Sequence, residues 1–320
     1  MEIGHDRNWQ VDLIVECNTV SSVDSSTGGQ LVFASRTSDS VTSEATLHFH
    51  WNRILGEQSK FLDPDWPLPE IAFVTATSDD HVGEARALVK QVYDIFPNKT
   101  VIMYDLGLSN VTRKWFEEAC NVELRTVNIS YFGVAENLKK YRWKPIVIAK
   151  ALQDFPVVFW MDTSTEFLKN RSWGPFFGNL SAFSEEPHVF ILSTTHHSTF
   201  AATDPGMYKY LEPQFDATIR QAESGKIVFV RTKNTYEMVM KWWVLCALEK
   251  KCMDPTGAEH NCKFKDELKD YAGCHRYDQS ALHLIVGKYR SYDYGELGKE
   301  YLRTSYNQRL LNISAVPACT

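Results

Sequence analysis

The sequence predicts an α/β fold built on a mainly parallel, doubly wound sheet, and three observations carry that expectation. From residue 71 onward, apolar runs rich in β-branched and aromatic residues alternate with segments of helical period. One run, VVFWMDT at 157–163, is apolar without interruption, as burial on both faces of a parallel sheet requires. Several runs end in small polar or acidic residues, and the carboxyl ends of the strands are where such sheets bind ligands.

The elements follow in order. IAFVTAT (71–77) is a strand, and Ser78 with Asp79 or Asp80 caps a helix whose apolar positions Val82, Ala85, Ala87, Leu88, Val92 and Ile95 recur near helical period. TVIMYDL (100–106) is a second strand, VTRKWFEEAC (111–120) a second helix and VELRTVNI (122–129) a third strand. YRWKPIVIAKALQDF (141–155) reads as a helix entered from a loop, leading into VVFWMDT. HVFILST (188–194) and KIVFVRT (226–232) add strands, TYEMVMKWWVLCALEK (235–250) one long helix, and SALHLIV (280–286) a late one. Ahead of them, residues 18–47 are rich in Ser and Thr and bury little, so 1–65 reads as a stem or linker and 66–320 as one domain.

Composition narrows the function. A net charge of -6 with no run of Lys or Arg beyond a pair gives no footprint for a phosphate backbone, so nucleic acid is not an expected partner. Apolar runs are far shorter than the roughly 20 residues of a membrane span. The first ten residues lack the apolar core of a signal peptide. Six N-x-[ST] triplets, at Asn98, Asn110, Asn128, Asn170, Asn179 and Asn312, nevertheless point to the secretory pathway. Of seven cysteines, Cys246, Cys252, Cys262 and Cys274 cluster without a C-x-x-C knuckle, which favours disulfides in an oxidising compartment over zinc. The expectation is a Golgi, endoplasmic reticulum or secreted protein, attached to membrane only through an anchor outside this chain.

Asp162 ends a buried strand and is followed by the hydroxyls of Thr163, Ser164 and Thr165. Hard oxygens of this kind suit Mg or Mn bridging a diphosphate; the same residue types also make local turns and caps. His196 and His197 follow a strand and are candidates to line a cleft or bind a cation, whereas His283 reads as a core residue. His48 and His50 form an isolated H-x-H pair. Trp173, Trp242 and Trp243 are candidates to stack on sugars, the last two reading better as core. No G-x-S-x-G, G-x-x-x-x-G-K-[ST], G-x-G-x-x-G or H-E-x-x-H pattern occurs.

The run NLKKYRWKPIVIAKALQDFPVVFWMDTST (137–165) resembles the segment of GT-A fold nucleotide-sugar glycosyltransferases in which a basic helix leads into a strand closed by a D-x-D metal motif. Together with VTATSDDH, YDLGLS, VELR and CHRYDQSAL, it also resembles an uncharacterised, nematode-rich animal family over roughly residues 70–290. The resemblance implies transfer of a sugar from a nucleoside diphosphate, a UDP-sugar foremost, to a glycan, protein or lipid acceptor. It implies Thr75 and Thr77 near the nucleoside, and Asp162 and Ser164 by the diphosphate or its metal. Asp278 and Gln279 of the D-Q-x-A-L-like motif would lie at the reacting centre, with a helix cap as the alternative for Asp278. Ser164 stands where the second acid of D-x-D would be, so Asp162 is the one candidate metal ligand. A metal-independent route then has Arg142 and Lys144, helped by Lys150, neutralise the diphosphate, while Lys139 and Lys140 form a solvated face. The alternatives are a non-catalytic nucleotide-sugar or glycan-binding protein and a secreted structural glycoprotein.

Overall fold

The computed structural model describes residues 71–168, 170–181, 187–289, 296–305 and 315. The stem expected over 1–65 and the His48/His50 pair lie outside the described residues. Ten strands are described, β1 (Ile71–Thr77), β2 (Val101–Asp105), β3 (Val122–Thr126), β4 (Val157–Met161), β5 (Thr165–Phe167), β6 (Val189–Ile191), β7 (Thr194–Ser198), β8 (Arg220–Ala222), β9 (Lys226–Val230) and β10 (Leu302–Thr304). The helices are α1 (Val82–Ile95), α2 (Asn110–Glu118), α3 (Trp143–Asp154), α4 (Gly174–Ser181), α5 (Lys241–Leu248), α6 (Lys250–Met253), α7 (Tyr277–Val286) and α8 (Glu296–Lys299).

The central sheet has six strands in the order β3-β2-β1-β4-β9-β6, with β7–β8 and β5–β10 as small pairs. β1 to β4 run parallel, whereas β9 lies antiparallel between β4 and β6. The sheet is therefore α/β and mainly parallel. Alternation along each strand sends successive side chains to opposite faces, and both faces are covered. Val74, Val158, Trp160 and Phe229 pack with residues of α3, α5 and α7. Phe73, Phe159, Met161 and Val228 pack on the other side with Leu88 and Val92 of α1 and with Phe176 of α4. This two-sided burial is the physical reason the strands read as unbroken apolar runs.

The long helix and the placement of Trp173 differ from expectation. The long helix over 235–250 is a π-helical stretch, Thr235–Met240, followed by α5, and it breaks at Glu249, whose extended backbone separates α5 from α6. The Cys246–Cys252 disulfide spans that break, and Cys262–Cys274 closes the next loop, so the four clustered cysteines are paired with one another. Trp173 sits among Phe96, Phe167 and Phe176 in the core beneath the sheet and does not face a cleft. Among the described residues, no helix is long and apolar enough to cross a membrane.

The chain leaves β1 toward β2 and β3 on one side and returns to β4 on the other, so the direction of winding switches between β1 and β4. A crevice opens at such a point outside the carboxyl ends of the strands. Register places Val74 beside Trp160, which brings Thr77 and Asp162 to the same rim.

The histidines of the core make the fold acid-sensitive. Burial lowers His275 to about 4 and His283 to about 3, so both are neutral in the native state at pH 7. The unfolded chain, with histidines near 6.5, binds more protons below that pH, so stability falls as pH falls from 6.5 toward 4. Each histidine contributes a loss of about 1.4 kcal/mol per pH unit in that window. Urea unfolding at pH 7.5 and 5.5 is expected to show the drop, and substitution of His283 by Gln to shallow it; equal stability at both pH values would contradict the assignment.

Candidate functional site

Where the winding reverses, a cleft of about 420 Å³ is lined by residues of β1, the β4–β5 turn, the start of α3, the β8–β9 turn and the start of α7. Its floor is a buried ion cluster. Lys144 lies in the first turn of α3 with only 2 % of its side chain exposed, a position at which the helix dipole disfavours a cation. Its Nζ is 2.8 Å from Asp278 Oδ2 and 3.0 Å from Asp162 Oδ1, and it faces the hydroxyl of Ser224 at 3.4 Å. Burial alone would lower the Lys144 amine, but the two carboxylates outweigh it and hold the ammonium above its ordinary value.

Each carboxylate is held by a second donor. Trp160, two residues back on β4, donates its indole N–H to Asp162 Oδ1 at 2.9 Å, and Ser224 donates its hydroxyl to Asp278 Oδ2 at 2.6 Å. Asp278 is in the first turn of α7 but makes no cap; its acceptor is turned to Lys144 and Ser224, which removes the capping alternative. Burial pushes Asp278 up, with Lys144 opposing and Asp162 adding to the rise. Trp243 donates its indole N–H to the Asp278 carbonyl at 2.9 Å, fixing the helix start from below, so this tryptophan is core as expected. Gly225 allows the close approach of β9. A Cβ there would meet Asp162 Oδ2 at 3.1 Å, while its carbonyl accepts the Asp162 N–H at 2.7 Å.

The remaining expected residues divide. Thr77, Ser164 and Gln279 line the cleft with Lys144, Asp162 and Asp278. Thr75 does not: it lies two residues inside β1, fully buried, below the crevice at the strand end. Arg142 is also absent from the cleft. Its guanidinium donates to the carbonyls of Ala247 and Leu248 at the end of α5 and to Gly133, so its charge serves the negative pole of that helix. Lys150 is exposed on α3 and donates to Gln153. His196 and His197 lie away from the cleft against Phe264. His283 is buried in the core with Thr199 as partner at 2.6 Å.

A divalent ion asks for several hard oxygen ligands. Among the described residues, no three of His, Cys, Asp and Glu converge as a donor set, and the Asp162 carboxylate is already engaged by an ammonium and an indole N–H. The residues present do not fit a tightly held Mn or Mg.

Among the lining residues not assigned to the cleft from sequence alone are Lys139, read as part of a solvated face, and Tyr141, Ser224, His260, Arg276 and Tyr277. Tyr141 and Tyr277 have φ of 54° and 39°, a region that side chains other than glycine rarely occupy, and both line the cleft. Strain of this kind persists where surrounding contacts over-determine the backbone, and it clusters at functional sites. His260 stacks on Tyr277 with ring planes 6° apart. Arg276 had a sequence signal, being two residues from Asp278 in CHRYDQSAL; His260 had none.

If the cluster is a coupled unit, removing the cation leaves two buried carboxylates unpaired. Lys144→Met is expected to cost about 3–5 kcal/mol of stability, and adding Asp278→Asn to recover part of it. A double-mutant cycle by denaturant unfolding measures the coupling; strict additivity would show that the contacts carry no energy.

A family model described as a protein of unknown function (DUF1647) matches residues 54–149. The matched segment contains YDLGLS and YRWKP, including Tyr141 and Lys144, and ends before Asp162 and Asp278. No curated protein matches the chain. Among solved structures, the galactosyltransferase LgtC in complex with donor and acceptor sugar analogs is similar at 14% identity and a TM-score of 0.41, over 67% of this chain and 70% of that one. The apo structure of the bifunctional glycosyltransferase WbbM is similar at 15% identity and a TM-score of 0.42, over 70% of this chain but 38% of that protein. The mannosyltransferase PcManGT from Pyrobaculum calidifontis, in complex with GDP-Man and Mn2+, is similar at 14% identity and a TM-score of 0.29, over 56% of this chain and 50% of that one.

Proposed function

We propose that this protein is a glycosyltransferase that moves a sugar from a nucleoside diphosphate, a UDP-sugar foremost, to a hydroxyl of a glycan, protein or lipid. The observation that carries the reading is the Asp162–Lys144–Asp278 cluster at the floor of a cleft at the sheet's switch point. Sugar transfer breaks the bond between the anomeric carbon and the diphosphate oxygen and forms one to the acceptor oxygen. The anomeric carbon becomes positive along the way, and fixed carboxylates stabilise that charge. The acceptor hydroxyl loses its proton, and Asp278, a carboxylate whose affinity for protons burial has increased, is the group suited to receive it. Gln279 orients the sugar hydroxyls, Asp162 and Ser164 flank the donor, and Thr77 lies toward the nucleoside.

The test is a panel of UDP-, GDP- and CMP-sugars with released nucleotide as the readout. Turnover of at least one donor is expected, and Asp278→Asn should lower it about 10²–10⁴-fold. One observation favours a second reading, a non-catalytic nucleotide-sugar or glycan-binding protein: the Asp278 carboxylate is already engaged by Lys144 and Ser224. Binding that Asp278→Asn leaves unchanged, with no turnover of any donor, would decide for that reading.

The compartment in this proposal is the Golgi or endoplasmic reticulum lumen, or the exterior. Two disulfides support it, as does the exposure of Asn98, Asn110, Asn128 and Asn170 in their acceptor triplets. Protein made through a secretory pathway is expected to gain mobility on treatment with a peptide N-glycosidase; an unglycosylated product with four reduced thiols would count against the lumen.

A further inference from the structure

The cluster on the cleft floor leaves a question of charge. One ammonium faces two carboxylates there, so Lys144 has no positive charge to spare for a bound anion. Arg142 is spent on backbone carbonyls. The other cations that line the cleft flank His260 on one wall, where the Asp80 carboxyl, lowered by the Ser78 hydroxyl, is lowered further by the nearby Lys139. Arg276 precedes α7, with Nη1 3.1 Å from His260 Nε2, and the exposed Lys139 comes from the loop before α3. The ten-residue helix α7 begins beside them, and its N-terminal pole adds to the positive potential.

We infer that this wall is an oxyanion subsite, in which Arg276, Lys139 and a His260 that takes up a proton on binding hold the phosphate groups of a nucleoside diphosphate. The inference rests on the donor reading above and supplies the counter-charge that reading lacks. His260 is exposed, stacked on Tyr277, tilted against Tyr141 and flanked by cations. Burial against these rings, then Arg276, Lys140 and Lys139 in turn, hold it below its ordinary 6.5, so without a ligand it is neutral at pH 7. Lys140 itself is committed to Asp254, to the Tyr277 hydroxyl and to the Ala258 carbonyl. An anion between Arg276 and Lys139 cancels the repulsion that keeps His260 neutral. Arg276 can only donate, so Nε2 of the neutral His260 accepts from it; the anion takes over that N–H, Nε2 is freed to bind a proton, the imidazolium becomes a further donor, and binding and protonation reinforce each other. Linkage fixes the sign of the His260 contribution: the bound imidazole holds more protons, so that contribution to affinity grows as pH falls, by at most about tenfold per pH unit for one coupled proton.

The experiment uses the full chain with inorganic pyrophosphate and UDP as probes. Calorimetry in buffers of different ionisation enthalpy counts the protons taken up on binding, between pH 7.5 and 5.5. The terminal phosphate of either probe itself titrates at about 6, so the count is read as the difference between the wild type and His260→Gln. The wild type is expected to take up as much as one proton more than His260→Gln, and its affinity relative to that variant to rise toward low pH. Lys139→Gln, at an exposed position where folding is not at stake, and Arg276→Gln should each weaken both probes about 5- to 50-fold. Equal proton uptake by the wild type and His260→Gln, binding indifferent to all three substitutions, or failure of both probes to bind would overturn the subsite. A protein that turns over a nucleotide sugar while ignoring these substitutions loses the subsite and keeps the transferase reading. One that binds pyrophosphate with that extra proton uptake but turns over no donor keeps the subsite and loses the transferase.

Discussion

An ammonium withdrawn from water beside two carboxylates is stable only where all three meet, and Lys144 with Asp162 and Asp278 imposes that condition on three distant parts of the chain. Lys144 comes from the first turn of α3, Asp162 from the tip of β4 and Asp278 from the first turn of α7. If any one of these elements shifts, an unpaired charge is left buried. The cluster therefore couples the packing of two helices on the sheet to the shape of the cleft above it.

The surrounding structure bears the cost of that arrangement. Trp160 and Ser224 each give a hydrogen bond to one carboxylate, and Gly225 keeps β9 close enough for its backbone to hold Asp162 in place. Arg142, two residues before Lys144, points the other way and ties the start of α3 to the end of α5. These two basic residues thus divide the work: one sets the chemistry of the floor and the other anchors the helix that carries it. The left-handed backbone of Tyr141 just before them sets the turn from which both depart.

Charge in the cleft is unevenly spread. Acidic groups gather on the floor and beside α1, where Asp80 and Glu84 also line the cleft, while Arg276 and Lys139 flank His260; the Asp80 carboxyl, lowered by the Ser78 hydroxyl, is lowered further by the nearby Lys139. A ligand with an anionic end and a hydroxyl-rich end fits such a division, since carboxylates accept from hydroxyls and cations hold phosphate. The loop closed by Cys262–Cys274 starts just after His260 and ends just before Arg276, which limits how far the basic wall can move.

The elements of the fold were legible in the sequence because two-sided burial leaves an unbroken apolar run, and helical period marks each covering helix. IAFVTAT and VVFWMDT announced β1 and β4, and with them the end of the sheet where Asp162 stands. What lay beyond reach were directions and partners. Whether Lys144 or Arg142 turned toward the cleft depended on the left-handed turn at Tyr141, and a positive φ at tyrosine leaves no mark in composition. That Asp278 meets a lysine instead of capping its own helix depended on α3 and α7 packing on the same face of the sheet. The sequence by itself determined which segments are buried and how they repeat, because burial is a property of each side chain. Only the tertiary structure decided which charges face each other, because that depends on distances between residues far apart in the chain.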